Sequence, residues 1–163
     1  MNNKIIVPIL TVCLTLLIAT WFWQTQTVRP APDVTFKTIS GESIRLAELK
    51  GKPTLVTFWA TDCPGCIEEI PHLIDLHDEF AVSGLTIIAT AMHYDPPNHV
   101  IEMAKSKQLP YAIALDIDGT LAKQFDNVQL TPTTFLVDRA GNIVMQKIGV
   151  FDPGDMRQRL TRL

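Results

Sequence analysis

The stretch that decides the fold is Thr54–Phe80, TLVTFWATDCPGCIEEIPHLIDLHDEF. Its first six residues, TLVTFW, are a compact apolar run, the mark of a strand buried on both faces. From Pro64 onward, apolar side chains recur at Ile67, Ile70, Leu73, Ile74, Leu76 and Phe80, which is helical spacing. Pro64 suits a first helical position, where its missing N–H would be orphaned anyway. Pro71 falls inside the helix and predicts a kink there. Cys63 and Cys66 stand where strand passes into helix. The first turn of a helix leaves N–H groups unpaired and carries partial positive charge. Both favour a thiolate at Cys63, and the thiolate is the nucleophile of disulfide exchange. Cys66, three residues on, lies on the same helical face and can resolve a mixed disulfide. Burial beside Ile67 and Ile70 predicts that it is the slower attacker.

Elements on either side follow the same logic. Val34–Lys37 alternates and stops at Ser40-Gly41, which predicts a strand and a turn. Leu46–Leu49 reads as one helical turn. Leu85–Met92 is a second buried strand. Asn98–Gln108 reads as a helix with Asn98 as its N-cap, and Asp95-Pro96-Pro97 before it as a turn at the rim of the binding face. Ile113–Leu115 is a short strand and Thr120–Phe125 a short helix. Thr134–Val137 and Ile143–Lys147 flank Asp138–Asn142, a hairpin signal. Asp155–Leu163 is a last amphipathic helix. Strands that alternate with helices and end in a hairpin and a helix predict an α/β fold with a mixed central sheet.

The chain has 163 residues, 14 Lys+Arg against 17 Asp+Glu, and no basic block, which argues against nucleic acid as a partner. An apolar fraction of 47% excludes a disordered chain. Three cysteines are too few for a disulfide-dense mini-protein. Mean hydropathy is +0.17, much of it from Ile5–Trp23, 19 residues without a charge. That length nearly spans a bilayer, and Trp21 and Trp23 suit its interface. Lys4 precedes the run and Arg29 is the next charge, a bias that predicts a cytoplasmic N-terminus and an exported remainder. A cleaved signal peptide is the rival reading, although Ala19-Thr20-Trp21 makes a poor cleavage site. The expected layout is an anchor or signal segment at 1–23, a tether at 24–32 and a globular domain at 33–163. An exported domain meets an oxidising compartment.

Other uses of the cysteine pair fit less well. Zinc generally takes two ligand pairs, and His72 and His77 stand too close behind Cys66 for finger spacing. Haem attachment needs His after the second cysteine, where Ile67 stands. A purely structural disulfide closing so short a loop gains little chain entropy.

These residues resemble the TlpA/ResA-type membrane-anchored thioredoxin-like proteins. The likeness runs through PDVTFKTISGESIRLAELKGKPTLVTFWAT, CPGCIEEIP and LTPTTFLVDRAGNIV. It implies a thioredoxin-like fold, a mixed central sheet flanked by helices, with an extra βα segment at Ala91–Asp118 and an N-terminal membrane-anchor helix. By position it implies that Cys63 and Cys66 form the redox-active disulfide. Thr131-Pro132 matches a cis-proline loop facing the pair, and Pro64, Gly65 and Thr131 fall where substrate binds. Glu69 matches an acid that tunes thiol acidity and moves protons. Two departures stand out: Asp62 replaces the usual Trp before the first cysteine, and Thr57 replaces the buried acid of thioredoxin itself, which leaves Glu69 as the candidate acid–base group. Trp59 is expected to pack below the cysteines, and Glu68, His93 and His99 to lie at the surface.

The resemblance implies a monomeric thiol–disulfide oxidoreductase at the bacterial inner membrane, single-pass, with its catalytic domain in the periplasm and no metal or cofactor. Its substrates would be disulfides of exported proteins, as in cytochrome c maturation or metal-centre assembly. Its electrons would come from a membrane donor of the DsbD/CcdA type. Two other classes stay open. A peroxiredoxin-like peroxidase uses Pro-x-x-x-Thr-x-x-Cys, which neither cysteine fits in register. A Sco-like copper chaperone uses CxxxC and a distant downstream His, and no His follows His99.

Overall fold

The computed structural model describes residues 29–163. The expected anchor or signal segment lies outside these residues, and among those described no helix is long and apolar enough to cross a membrane.

The strand read as TLVTFW is β4, Thr54–Trp59, and all six residues are buried. With β1 (Arg29–Pro30), β5 (Thr86–Ala91), β6 (Ala112–Leu115), β7 (Thr133–Val137) and β8 (Asn142–Ile148) it forms a six-stranded sheet of order β1-β8-β7-β4-β5-β6, in which it is central. β5 (Thr86–Ala91) runs parallel to β4, pairing Leu55 with Ile87 and Trp59 with Ala91. β6 (Ala112–Leu115) runs parallel to β5. β7 (Thr133–Val137) and β8 (Asn142–Ile148) complete the other half, antiparallel to β4 and to each other. β2 (Thr35–Lys37) and β3 (Ser43–Arg45) form a separate hairpin that reaches the β6 edge through a Thr38–Ala114 bridge. Parallel neighbours need crossovers, and α1 (Pro64–Phe80) and α2 (Pro97–Ser106) supply them. A 3₁₀ turn at Leu46–Leu49, α3 (Thr120–Gln124) and α4 (Pro153–Thr161) complete the set.

Because side chains alternate along a strand, β4 and β5 divide the core in two. Leu55, Trp59, Ile87, Ala89 and Ala91 face one way and pack with Leu73 and Leu76 of α1, Val100 of α2 and Met156 and Leu160 of α4. Val56, Phe58, Ile88 and Met92 face the other and pack with Phe36, Leu121, Phe125 and Phe135. In that second layer Phe125 lies 5.4 Å from Phe58 and 5.1 Å from Phe135, centroid to centroid, within the range of favourable aromatic pairs. Thr57 shares a face with Leu55 and Trp59, so the position that replaces thioredoxin's acid points into the layer containing α1.

Three readings need correction. The stretch expected as a tether reaches into the sheet: Arg29–Pro30 is β1 and pairs antiparallel with Asn142 and Ile143 of β8. Both its residues are exposed and polar or proline, so no alternation marked it. Ser43–Arg45 pairs as β3 where no strand was expected. The second helix starts at Pro97 with Pro96 at its N-cap and no side-chain cap bond, so Asn98 is not the cap. Pro97 takes the first helical position for the same reason as Pro64.

The short helix α3 depends on a buried carboxylate. Asp116 is 2% exposed and accepts from the N–H groups of Leu121 (2.9 Å) and Ala122 (2.8 Å). Replacing it leaves two buried donors unpaired, at roughly 1–3 kcal/mol for each such group. Asp116→Ala is expected to cost about 2–4 kcal/mol in urea unfolding, and Asp116→Asn, which keeps an acceptor, distinctly less. Equal losses in the two variants would refute this capping role.

Candidate active site

Cys63 is the N-cap of α1, with φ −94° and ψ 109°, and Pro64 follows at the first helical position. The Cys63 Sγ accepts a hydrogen bond from the Cys66 N–H at 3.2 Å. An unpaired helix donor therefore points at the sulfur, as the spacing requires for stabilising a thiolate. Cys63 and Cys66 are joined as a disulfide with Cα atoms 5.3 Å apart. Cys63 is half-buried, whereas Cys66 is 2% exposed and packs in the core with Leu55 and Trp59.

Two loops bring further groups to the pair. The Thr131-Pro132 bond is cis, and Pro132 packs against the CPGC turn. A Cβ at Gly65 would lie 3.4 Å from Pro132 Cδ and 3.1 Å from Val150 Cγ2. Glycine at this position lets the turn approach the proline loop closely. The Pro132 carbonyl accepts from the Gly149 N–H at 2.8 Å, which ties the loop to the end of β8. Thr131 is half-buried beside it, and Pro64 is exposed at the tip of the turn.

The second loop follows β5. Asp95, read from sequence as a rim residue, is 7% exposed and accepts from the Thr61 N–H (2.6 Å) and hydroxyl (2.7 Å). It fixes the segment between β4 and Cys63 from the extra βα region. Its partner is 34 residues away, so no local pattern could have marked it. His93 and His99 are exposed, as expected.

Beneath the cysteines lies Glu69, 1% exposed. Its Oε1 accepts from the Phe151 N–H at 2.9 Å. Burial pushes its carboxyl up to about 7; the Phe151 N–H and Lys147 pull it down, and Glu68 adds to the rise. Glu69, Cys66, Thr57, Trp59 and Tyr111 line a common small cavity. Thr57 is satisfied by a 2.9 Å hydroxyl contact to Thr134 and cannot ionise in this range. Glu69 is thus a titratable group beside the buried cysteine that changes charge near neutrality. Sequence reading missed Tyr111 and Val150, which reach the site from distant loops. Among the described residues, no three His, Cys, Asp or Glu side chains gather where they could hold a metal ion.

Comparison with known proteins agrees with this geometry. A model of the AhpC/TSA family matches residues 28–146. The thioredoxin-like protein YneN of Bacillus subtilis is 34% identical over 137 residues, 83% of this chain and 79% of that protein. Sporulation thiol-disulfide oxidoreductase A of the same organism is 30% identical, over 77% of this chain and 78% of its own. Among solved structures, a thioredoxin-family thiol:disulfide interchange protein from Chlorobium tepidum superposes with a TM-score of 0.76 at 26% identity, covering 83% of this chain and 95% of the other.

The raised Glu69 carboxyl has a stability consequence. Between the ordinary glutamate range and about pH 7 the folded state holds a proton that the unfolded state has lost, so stability falls as pH rises through that window. The penalty is absent below the unfolded pKa and complete above about 7, where it amounts to roughly 3 kcal/mol. Glu69→Gln keeps an acceptor for the Phe151 N–H and removes the charge. It is expected to unfold at higher urea than the parent at pH 8 and at nearly the same urea at pH 4.5. An equal effect at both pH values would show that the carboxyl is not raised.

Proposed function

This chain belongs to the AhpC/TSA family, and we propose that it works as an extracytoplasmic thiol–disulfide oxidoreductase of the ResA type. The observation that carries the reading is the Cys63–Cys66 disulfide at the N-terminus of α1, one sulfur half-buried and the other enclosed beside Glu69. Similarity to proteins named thiol-disulfide oxidoreductase ResA and sporulation thiol-disulfide oxidoreductase A supports it.

In the reduced protein Cys63 attacks a substrate disulfide. One substrate sulfur leaves as a thiol and the other stays bonded to Cys63. Cys66 then attacks Cys63 Sγ, the second substrate sulfur leaves, and the Cys63–Cys66 disulfide closes. Two electrons have passed from the protein to the substrate. Pro64, Gly65, Thr131 and Pro132 form the face on which an extended substrate segment lies, with the Thr131 backbone as its pairing partner. Glu69 takes up and returns the proton of the enclosed thiol.

Charge around the pair favours work as a reductant. A strong oxidant stabilises its reduced form through a very acidic thiol. Here Asp62 adjoins Cys63 and Glu69 lies under Cys66, and negative charge disfavours a thiolate. The helix N-terminus opposes this, leaving a modest net depression. The Ile5–Trp23 run, as a single-pass inner-membrane anchor with a cytoplasmic N-terminus, would hold the domain in the periplasm. There a membrane donor of the DsbD/CcdA type would re-reduce it, and exported proteins of cytochrome c maturation or metal-centre assembly would be its substrates.

Expression of Cys66→Ser in cells tests the reading. Mixed disulfides through Cys63 should accumulate with exported proteins, and Cys63→Ser should trap none. A redox titration should place the couple nearer the roughly −270 mV of thioredoxin than the roughly −120 mV of DsbA. Capture of cytoplasmic proteins alone would overturn the location, and a potential near that of DsbA would overturn the direction. Rapid oxidation by peroxide without a disulfide substrate would favour the peroxidase class.

A further inference from the structure

The turn that delivers Cys63 to α1 is three residues long, Ala60-Thr61-Asp62, and its internal bonding is weak. The Cys63 N–H reaches the Ala60 carbonyl only at 3.3 Å, beyond the usual length of such a bond. The strong tie comes from another part of the chain. Both donors of Thr61 meet one carboxylate, the N–H on Asp95 Oδ2 at 2.6 Å and the hydroxyl on Oδ1 at 2.7 Å. These are the short lengths of charge-assisted bonds. Asp95 is 7% exposed, and none of the ion pairs among the described residues includes it. An enclosed carboxylate without a cation is costly unless its oxygens are filled, and Thr61 fills one lone pair on each. The side that holds Asp95 is stiff. Its N–H closes a turn on the Met92 carbonyl at 3.0 Å, and the Met92 N–H is bonded to the Trp59 carbonyl at 3.0 Å. The loop is thus pinned to the end of β4 two residues before the one it grips. Pro96 and Pro97 follow, which restricts the backbone of Asp95 as well as their own, and Pro97 opens α2. Asp95 therefore presents a fixed pair of acceptors, and the turn before Cys63 conforms to it.

We propose that Asp95 is a positioning residue for the exchange: by holding Thr61 it sets the approach of Cys63 Sγ to the Cys66 N–H, and through it the reactivity of the attacking sulfur. The inference rests on the exchange reading above and names a residue of the extra βα segment on which the attacking step depends. Asp95 acts through Thr61 and forms no hydrogen bond with either cysteine. With that grip in place, the Cys63 sulfur stays on the helix donors when the disulfide opens, and its thiolate keeps their stabilisation. A slackened turn lets the sulfur drift from those donors, and the thiolate becomes less favourable. Charge alone works the other way. The charged groups on the elements that meet at this turn are Asp62 on the turn itself, Glu68 and Glu69 on α1, His99 and Glu102 of α2, which share a groove with Thr61, and Lys147 of β8, which acts on Glu69. Taking one more carboxylate away from this largely anionic set would favour a thiolate. Loss of Asp95 as a positioner and loss of Asp95 as a charge therefore move the acidity of Cys63 in opposite directions.

Timed alkylation of the reduced full-length protein, with the label located by mass spectrometry, reads the pH inflection of Cys63 in Asp95→Asn, Thr61→Val and Thr61→Ser. Asn keeps the size of Asp95 and one acceptor oxygen but turns an amide donor toward Thr61. Val keeps the shape of Thr61 and its N–H bond and removes only the hydroxyl, while Ser keeps both donors. The Cys63 inflection is expected to rise by about one pH unit in Asp95→Asn and by a smaller step in Thr61→Val, and to stay at the parental value in Thr61→Ser. Attack on a small disulfide at pH 6 should then slow about threefold in Asp95→Asn, since the thiolate fraction falls about tenfold and greater intrinsic nucleophilicity restores about threefold. Cooperative urea unfolding and near-native circular dichroism keep the comparison within the folded state. An inflection that falls in Asp95→Asn, as removal of charge alone dictates, overturns the proposal. So does one that is unmoved in both Asp95→Asn and Thr61→Val. The expected inflections in a protein that exchanges with no disulfide substrate would uphold the positioning role and overturn the exchange reading.

Discussion

One backbone hydrogen bond organises this molecule's chemistry: the Cys66 N–H donated to Cys63 Sγ at the first turn of α1. It exists because β4 ends at Trp59 and the helix begins at Pro64, with the intervening turn held by Asp95 through Thr61. Every other part of the site takes its place from that junction. The helix N-terminus orients its orphan donors toward the first sulfur. The helical repeat carries Cys66, Glu69, Ile70 and Leu73 inward along one face. The glycine between the cysteines lets Pro132 and Val150 close over the turn.

The same junction separates the two sulfurs electrostatically. Cys63 meets the helix donors and solvent, so its thiolate is favoured. Cys66 is enclosed by Trp59 and aliphatic side chains, so its thiol is favoured. In the proposed exchange, attack and resolution are therefore assigned by environment rather than by residue type. In the exchange we propose, the buried thiol must eventually ionise, and its acceptor is Glu69, whose carboxyl is pushed up to about 7 because burial outweighs its bond to Phe151. Thioredoxin's acid position, taken here by Thr57, cannot serve, since a hydroxyl paired with Thr134 has no accessible charge change.

Much of this was legible in the sequence where the physics is local. The bounds of β4 and α1 were read to the residue, because an unbroken apolar run and a proline at the first helical turn leave few alternatives. The proline loop and Glu69 came from family resemblance and not from pattern. What escaped reading depends on distant partners. Arg29–Pro30 pairs with residues more than a hundred positions away and has no apolar face to advertise it. Asp95 read as part of a turn at the rim of the binding face, and its bonds to Thr61 became visible only in the fold. Tyr111 and Val150 carry no motif and become part of the site only when the sheet aligns their loops with α1. Residues 1–23 lie outside the described structure, and the anchor expected there was read from hydropathy, charge and the family resemblance.

The central claim is that position at the helix N-terminus makes Cys63 the attacking sulfur and burial holds Cys66 back. Timed alkylation of the reduced full-length protein with iodoacetamide across pH 5–10, with the label located by mass spectrometry, tests it most directly. The account predicts that Cys63 is labelled first at every pH, with an inflection modestly below the free-thiol value of about 8.5, and that Cys66 follows only at higher pH. Label found mainly on Cys66, or equal labelling of both with an inflection at the free-thiol value, would contradict it.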